Sequence, residues 1–181
     1  MRVRRRRLEH SLWERRALFR VVGYLACVWA FAFAALSFYW AIGGTAGGAT
    51  IGPDLQRLGL TRDPGFVAIL WATGVLKVIV GLLALALTQP WGRRIPSWTL
   101  LPVAWCAGVI MALYEGLASL IQHALMVAGI IATPSGLGSF AARWHLLFWD
   151  PWWLLGGLLI LLAAWSYSRA AAVQSTGQRV R

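Results

Sequence analysis

Hydrophobic residues fall into four long runs, which are separated by shorter segments rich in charged residues, glycine and proline. Each run has roughly 20 residues or more, and a helix rising about 1.5 Å per residue needs about that length to cross a hydrocarbon core of about 30 Å. The pattern therefore predicts four membrane-spanning helices, at about residues 17–42, 66–88, 99–132 and 146–167.

The composition excludes an ordinary soluble domain. Of the 181 residues, 59% are hydrophobic and only 13% are charged, whereas soluble domains carry about 25% charged residues. We therefore predict an all-α integral membrane protein with a single four-helix bundle over residues 17–167. An arginine-rich segment at 1–16 precedes the bundle, and a C-terminal tail at 168–181 follows it.

Small residues recur at steps of three or four along the predicted helices, and such stripes let membrane helices pack closely. The first stripe consists of Gly23, Cys27, Ala30, Ala34, Ser37 and Ala41, and the second of Thr73, Gly74, Gly81 and Ala84. The third consists of Ala104, Gly108, Met111, Glu115, Ser119 and Gln122. The stripes predict the inward faces of a compact bundle with polar side chains in its interior.

Arginines indicate the orientation of the chain. Those before or at the start of the first run, together with Arg93, Arg94 and the arginines of the C-terminal tail, all fall on one side when the four spans alternate. Because basic residues favour the cytoplasmic side, both termini are predicted to be cytoplasmic. A cleaved signal peptide is the alternative, but its apolar part is usually only about 7–15 residues long.

The net charge of +11 indicates a lipid partner rather than a nucleic acid. The N-terminal arginines directly precede a membrane span, and no RNA-binding aromatic platform or finger accompanies them. Basic residues beside a membrane attract anionic lipids at roughly 1 kcal/mol each. We therefore expect the bilayer and its anionic lipids as partners, and no nucleic acid.

No motif has the spacing of a catalytic apparatus. Cys27 and Cys106 form no Cys-x-x-Cys pair and are interpreted as buried, inert packing residues. The stretch 135–139 has the glycines of a nucleophile elbow but lies in a short outer turn, and the glycines at 43–48 lack the lysine of a phosphate-binding loop. The sequence thus predicts no catalytic residue and no cofactor.

Lys77 lies in the middle of the second predicted span, where a charge costs about 2.5–3.5 kcal/mol on insertion scales. Glu115 in the third span is the expected counter-ion, although it is counted roughly two turns nearer the outside. Two interpretations remain open. The pair either fixes the register of the helices or forms a relay for protons or substrate.

Polar side chains on the third span form a ridge that leads to the outer surface: Glu115, Ser119, Gln122 and His123, within an arc of about 100°. Tyr39 and Trp40 from the first span, with His145 and Asp150 from the fourth, are expected opposite its outer end. These eight residues are predicted to line an outward-opening pocket.

Histidine and carboxylate suit zinc or iron, but the sequence has no close-spaced ligand pair such as His-Glu-x-x-His. The favoured interpretation is therefore interfacial histidines and a capping aspartate, with no metal. Asp150 directly before Pro151 is typical of a helix start, because aspartate is a good N-cap and proline suits the first helical position. The fourth helix is predicted to begin, or to kink, at Asp150.

Two motifs resemble a family of small bacterial membrane proteins with four spans, a domain of unknown function. They are the Tyr-Trp-Ala-x-Gly-Gly end of the first helix and the Trp-Asp-Pro-Trp-x-x-x-Gly-Gly start of the last. The residues that match the family pattern are Tyr39, Trp40, Gly43, Gly44, Trp149, Asp150, Pro151, Gly156 and Gly157. The resemblance spans about residues 22–165 and implies no activity.

The sequence favours a non-enzymatic multi-pass protein of the bacterial inner membrane. It is expected to bind a small amphipathic or lipid-like ligand, or a membrane partner, in the outward-facing polar pocket. One alternative is a small oligomeric transporter in which Lys77 and Glu115 exchange a proton. A second alternative is an intramembrane enzyme that acts on a lipid or quinone, with Glu115 and His123 as acid and base.

Overall fold

The structure is a computed structural model that describes the backbone of residues 2–179 and the side chains of residues 20–92 and 94–169. The described backbone is helical and contains no strand. Its α-helices are α1 (Arg2–Ala41), α2 (Pro53–Leu60), α3 (Pro64–Thr88), α4 (Ser97–Val109), α5 (Ser119–Val127), α6 (Gly138–Trp144) and α7 (Asp150–Arg179). Between them lie two π-helical stretches, Ile110–Ala118 and His145–Trp149, and two 3-10 turns, Gly48–Ile51 and Pro90–Arg94.

Four of the described helical segments are long and apolar enough to cross a membrane: Arg20–Ala41, Pro64–Thr88, Ser97–Val127 and Gly138–Arg169. The third span joins α4, the first π-helical stretch and α5, and the fourth span joins α6, the second π-helical stretch and α7. The predicted fold class, all-α with four membrane-capable helices, is confirmed. The orientation of the termini stays a prediction, and arginines 2–16 lie outside the described side chains.

The third span ends at Val127, earlier than the hydrophobic run suggests. Gly129 adopts a left-handed φ of 74°, and the amide of Ile130 donates to the carbonyl of Leu125 at 2.9 Å. The Gly129 amide donates to Met126 at 3.0 Å. These two bonds form a Schellman motif, which terminates a helix by satisfying its last carbonyls.

The fourth span continues as a helix through Asp150, so of the two predicted alternatives, the one in which the helix begins there is wrong. It starts at Gly138, and Asp150 has helical angles of φ −68° and ψ −45°. Pro151 has no amide hydrogen and its ring clashes with the preceding turn of an α-helix. The π-helical stretch directly before it has wider turns and accommodates the ring. The Asp150 carboxylate is therefore free to contact other helices.

The small-residue stripes of α1 and α3 face inward, as predicted. In α1, the members Ala30, Ala34 and Ala41 are at most 1% exposed. Helix α3 packs along α1, where Gly74 and Gly81 lie against the rings of Phe38 and Phe31. Close packing of small residues is the main way in which helices associate in lipid.

The third span packs along α7 through a seam of small residues. A Cβ added at Gly108 would lie 2.8 Å from Leu161, and one at Gly116 would lie 2.7 Å from the Cα of Leu154. Gly157 of α7 similarly approaches Ala112, whose Cα would lie 2.7 Å from an added Cβ. The two backbones are therefore close enough to fix the third span against α7.

The segment between α1 and α3 is folded into a 3-10 turn and helix α2. Arg62 donates from its guanidinium to the carbonyl of Ala41 at 2.9 Å, which satisfies the C-terminus of α1. The side chain of Asp63 accepts from the amide of Phe66 and caps α3. The amide of Asp54 donates to Gly136, joining this segment to the one between the third and fourth spans.

Candidate functional site

Three predicted pocket residues meet at the end of the bundle that is opposite the hairpin between α3 and α4. Asp150 is only 2% exposed, and one of its oxygens lies 2.8 Å from Nδ1 of His123. Its other oxygen lies 3.7 Å from Nδ1 of His145. We call these three residues the His–Asp cluster. One carboxylate thus faces two imidazoles from different spans.

The second π-helical stretch brings His145 and Asp150 onto one face of the fourth span. Residues five apart are about 140° apart around an α-helix, because it has 3.6 residues per turn. Here the amide of Asp150 donates to the carbonyl of His145, which is the i to i−5 bond of a π-helix. The wider turn places the two side chains above one another. Such stretches occur frequently at functional sites.

His123 reaches the cluster from α5, which follows the π-helical stretch of the third span. The amide of Ser119 donates to Tyr114, five residues earlier, and closes that stretch. The seam at Gly116 holds this part of the third span against α7. The two π-helical stretches and the small-residue seam therefore set the distance between His123 and Asp150.

The two imidazoles stack with ring centroids 4.6 Å apart and an angle of 26° between their planes. An ionised carboxylate only accepts hydrogen bonds, so Nδ1 of a neutral His123 must donate in the 2.8 Å bond. His145 differs. Its Nδ1 is too far from Asp150 for a hydrogen bond, and its Nε2 is buried without a partner among the described side chains.

Trp149, the neighbour of Asp150, connects the cluster to the segment between α1 and α3. Its indole donates to the hydroxyl of Thr50 at 3.1 Å and packs 5.9 Å from the ring of Trp40. The ring of Phe33 stacks on Trp149 at 6.1 Å. Trp149 is 7% exposed, so this aromatic wall closes one side of the bundle beside the cluster.

Tyr39 and Trp40 hold the segment that follows α1 rather than reaching the cluster. The Tyr39 hydroxyl accepts from the amide of Ala46 at 3.2 Å, and the Trp40 indole donates to the Ala46 carbonyl at 2.8 Å. Gly44 lies directly against the Tyr39 ring, where a larger residue has no room. The Tyr-Trp-Ala-x-Gly-Gly motif thus holds the chain that follows α1 in place. This contact is a structural reason for both aromatic residues and for Gly44.

The remaining residues of the predicted ridge do not join the cluster. Ser119 donates to the carbonyl of Tyr114 within its own span, and Gln122 is exposed. Glu115 is half-buried, and none of the hydrogen bonds found for the described side chains involves it. Of the eight predicted pocket residues, the structure brings together His123, His145 and Asp150.

Lys77 is paired in a way that the sequence did not indicate. Its ammonium donates to the hydroxyl of Ser37 at 2.8 Å and lies 4.2 Å above the ring of Phe33. The ring of Trp153 is 5.6 Å away. Glu115 makes no ion pair with Lys77 within 4.0 Å in the described part of the chain. Helix α3 packs mainly on α1, whereas the third span packs mainly on α7.

A small cavity lies beneath the segment between α1 and α3, apart from the His–Asp cluster. Trp40, Gly48, Ile51, Leu60, Phe66 and Leu70 are among the residues that line it. Its volume of about 30 Å³ has room for water, whereas pockets for drug-sized ligands have about 300–1,000 Å³. Of the predicted pocket residues, Trp40 alone contributes to it.

Residues 30–160 match the family described as Protein of unknown function (DUF3995). The chain belongs to this family. The predicted membership of a four-helix family of unknown function is therefore confirmed. No curated protein and no solved structure matches the chain. The family match contains the whole His–Asp cluster and Lys77.

The stretch Trp-Asp-Pro-Trp-x-x-x-Gly-Gly at the residues 149–157 has separate packing and polar parts. Gly156 leaves space for the indole of Trp29, which donates to the carbonyl of Trp152 at 3.0 Å. Gly157 allows the close approach of Ala112. Packing explains the two glycines. Asp150, in contrast, contributes its carboxylate to the His–Asp cluster.

Two hydrogen bonds beside the candidate site were not predicted from the sequence. Ser37 lies on the small-residue stripe of α1, which indicated that it faces inward but not that it meets Lys77. Thr50 lies in the segment between α1 and α3 and accepts a hydrogen bond from Trp149. Both contacts join residues that are distant in the chain, so no local pattern reveals them.

Proposed function

We propose that this multi-pass protein resides in the bacterial inner membrane and binds a small ligand at the His–Asp cluster. The observation that carries the proposal is that Asp150 is buried between two imidazoles, one of which has no hydrogen-bond partner among the described side chains. A buried polar atom without a partner costs about 1–3 kcal/mol. Such atoms are rare in native proteins and require an explanation, and contact with a water molecule, an ion or another ligand is one.

The polar groups of the cluster, two imidazoles and one carboxylate, favour a small polar ligand or an ion. The cavity beneath the segment between α1 and α3 is far smaller than a lipid chain requires, and no residue of the cluster lines it. The lipid-like ligand expected from the sequence has no support from this geometry. His145 keeps 24% of its side chain exposed, which provides access to the cluster from the surface.

Proton-coupled transport through Lys77 and Glu115 lacks the direct contact on which that alternative rested. The Lys77 ammonium is already satisfied by Ser37 and by the ring faces of Phe33 and Trp153. An intramembrane enzyme would need Glu115 close to His123, and the carboxylate that contacts His123 is instead Asp150. We therefore keep ligand binding as the single proposed function.

Three accompanying features belong to the same proposal. Both termini are cytoplasmic, with the His–Asp cluster near the opposite, outer surface. The N-terminal arginines bind anionic lipids, as expected for basic residues before a span. Association into a homo-oligomer, or with another membrane protein, is compatible with the large apolar side chains exposed on the spans, which face lipid or a partner helix.

Native mass spectrometry tests the proposed function. The full chain is extracted gently from its own membrane, and the small molecules and ions released from it are identified. We expect one ligand per chain in the wild type and in His10→Phe, and none in His145→Phe, which keeps a ring of similar size. Ligand retention in His145→Phe, or a wild-type chain that carries nothing, would contradict the proposal.

A further inference from the structure

We infer that the His–Asp cluster is a binding site for a divalent transition-metal ion, with one ring nitrogen each from His123 and His145 and an oxygen of Asp150 as ligands. This inference rests on the proposed function, since it names the class of ligand that the same site takes. No metal was predicted from the sequence, although histidine and carboxylate suit one, because the ligands come from two spans and lack a close-spaced motif.

The donor set has the chemistry of a transition-metal site. Two imidazoles and one carboxylate suit zinc, iron and other first-row metals, whereas calcium and magnesium prefer sites made of oxygen atoms. Three protein ligands leave at least one coordination position open. Sites of this composition therefore hold a water molecule or a substrate as well as the metal.

The spacing of the donors is close to what an ion requires. One ligand atom from each of the three residues lies within 4.8 Å of the other two. Bonds of about 2.0–2.2 Å to one ion place neighbouring donors roughly 3–4 Å apart. Small rotations of the two imidazoles close the remaining difference. The 2.8 Å hydrogen bond from His123 to Asp150 is replaced when the metal binds.

Hydrogen bonding supports the same assignment independently of spacing. Neither ring nitrogen of His145 makes a hydrogen bond with any described residue, although the ring is largely buried against His123. A metal ion satisfies one of these nitrogens directly. Asp150 is 2% exposed and supplies the negative charge that a divalent cation needs in such a site.

The backbone around the cluster holds the ligands on rigid elements. His145 and Asp150 are five residues apart in a π-helical stretch, and His123 lies one turn beyond Ser119 on α5. The seam at Gly116 and Gly157 fixes the two spans against each other. Metal sites built on packed helices keep their geometry better than sites on loops.

Equilibrium dialysis against Zn²⁺, followed by elemental analysis, tests the inference directly. The full chain is used in detergent micelles after removal of any histidine tag. Wild type, His145→Phe and Asp150→Asn are compared with His10→Phe and Asp54→Asn, which remove the same chemical groups elsewhere in the chain. Co²⁺ provides a second probe, because its visible absorption reports the coordination number.

We expect one Zn²⁺ per chain in the wild type and both controls, a higher thermal midpoint with Zn²⁺ present, and affinity at least about tenfold weaker in the two cluster variants. The absence of stoichiometric Zn²⁺ and Co²⁺ from folded wild type would overturn the inference, as would wild-type affinity in His145→Phe. If an organic ligand co-purifies and is lost in His145→Phe while no metal binds, the proposed function stands and the metal assignment falls.

Discussion

Two buried polar sites within the bundle differ in how completely their hydrogen-bonding groups are paired. Lys77 donates to Ser37 and lies over the rings of Phe33 and Trp153. His145, in contrast, has a buried nitrogen that makes no hydrogen bond within the described structure. Both sites lie on the membrane-capable helices, where a polar group exposed to lipid would be costly.

The difference separates a structural role from a binding role. A charge that is satisfied by neighbouring helices stabilises their register and needs no further partner. A polar ring that is left unsatisfied, beside a buried carboxylate, is costly to the fold and gains a partner when a ligand binds. The following substitutions test this distinction.

Gly157→Ala should have the largest effect, because both sites depend on helices held close to α7. The new Cβ would lie 2.7 Å from the Cα of Ala112, so the backbones must separate. We expect a loss of about 3 kcal/mol in the free energy of unfolding, measured by denaturant titration in mixed micelles. Gly59→Ala is the matched control, since its Cβ meets Phe66 at an ordinary 3.5 Å. Equal stability of the two variants would contradict the close seam.

Ser37→Ala should destabilise the protein by about 2 kcal/mol, because it leaves the Lys77 ammonium without its hydrogen-bond acceptor. Lys77→Met should be neutral or stabilising, and the double variant should resemble Lys77→Met. Ser166→Ala serves as the control, since that hydroxyl bonds only to Leu162 of its own helix. Additive effects of the two substitutions in unfolding titrations would mean that Lys77 and Ser37 are not coupled.

Thr50→Val should cost about 1 kcal/mol, because Trp149 loses the acceptor for its indole hydrogen. The readout is the thermal midpoint in detergent together with the fluorescence of tryptophan. Thr61→Val removes a hydroxyl that bonds only within its own turn, to Arg57 and Leu58, and should change neither. A shift as large in Thr61→Val would show that the Trp149 contact is not what holds this segment.

His145→Phe should have the smallest effect on stability, within about 0.5 kcal/mol, while it abolishes ligand binding. The substitution removes an unpaired polar group and keeps an aromatic ring against His123. Unfolding titrations and ligand analysis on the same preparation separate the two readouts. Strong destabilisation with the ligand retained would assign His145 to the fold and remove the contrast with Lys77.

Local sequence patterns predicted the fold well and the contacts within it unevenly. Hydrophobic runs indicated the four spans, and small-residue stripes indicated their inward faces, because both depend on composition along a single helix. Asp150 before Pro151 has the local signature of a helix start, yet tertiary packing continues the helix through it. Its opposite charge suggested Glu115 as the partner of Lys77, although counting the rise per residue placed it roughly two turns nearer the outside. Lys77 contacts Ser37 instead, because the rotation of each span about its axis and the spans packed beside it determine which side chains meet.

Three of the eight predicted pocket residues form the His–Asp cluster. Local backbone geometry and hydrogen bonding explain why others do not reach it. The ridge on the third span was drawn for an ideal α-helix, whereas Ile110–Ala118 is π-helical and changes the direction of the side chains that follow. Tyr39 and Trp40 have a polar edge that either a ligand or the backbone can use. Here the backbone of Ala46 uses both.

The π-helical stretch at His145–Trp149 makes the cluster depend on the number of residues between His145 and Asp150. Removing one residue between His145 and Asp150 would leave them four residues apart in an ordinary α-helical turn, which still places both side chains on one face. Adding one residue would rotate the histidine away from the carboxylate. The cluster is therefore specified by the number of intervening residues as well as by the two side chains, so the insertion of a single codon here would separate them without altering either one.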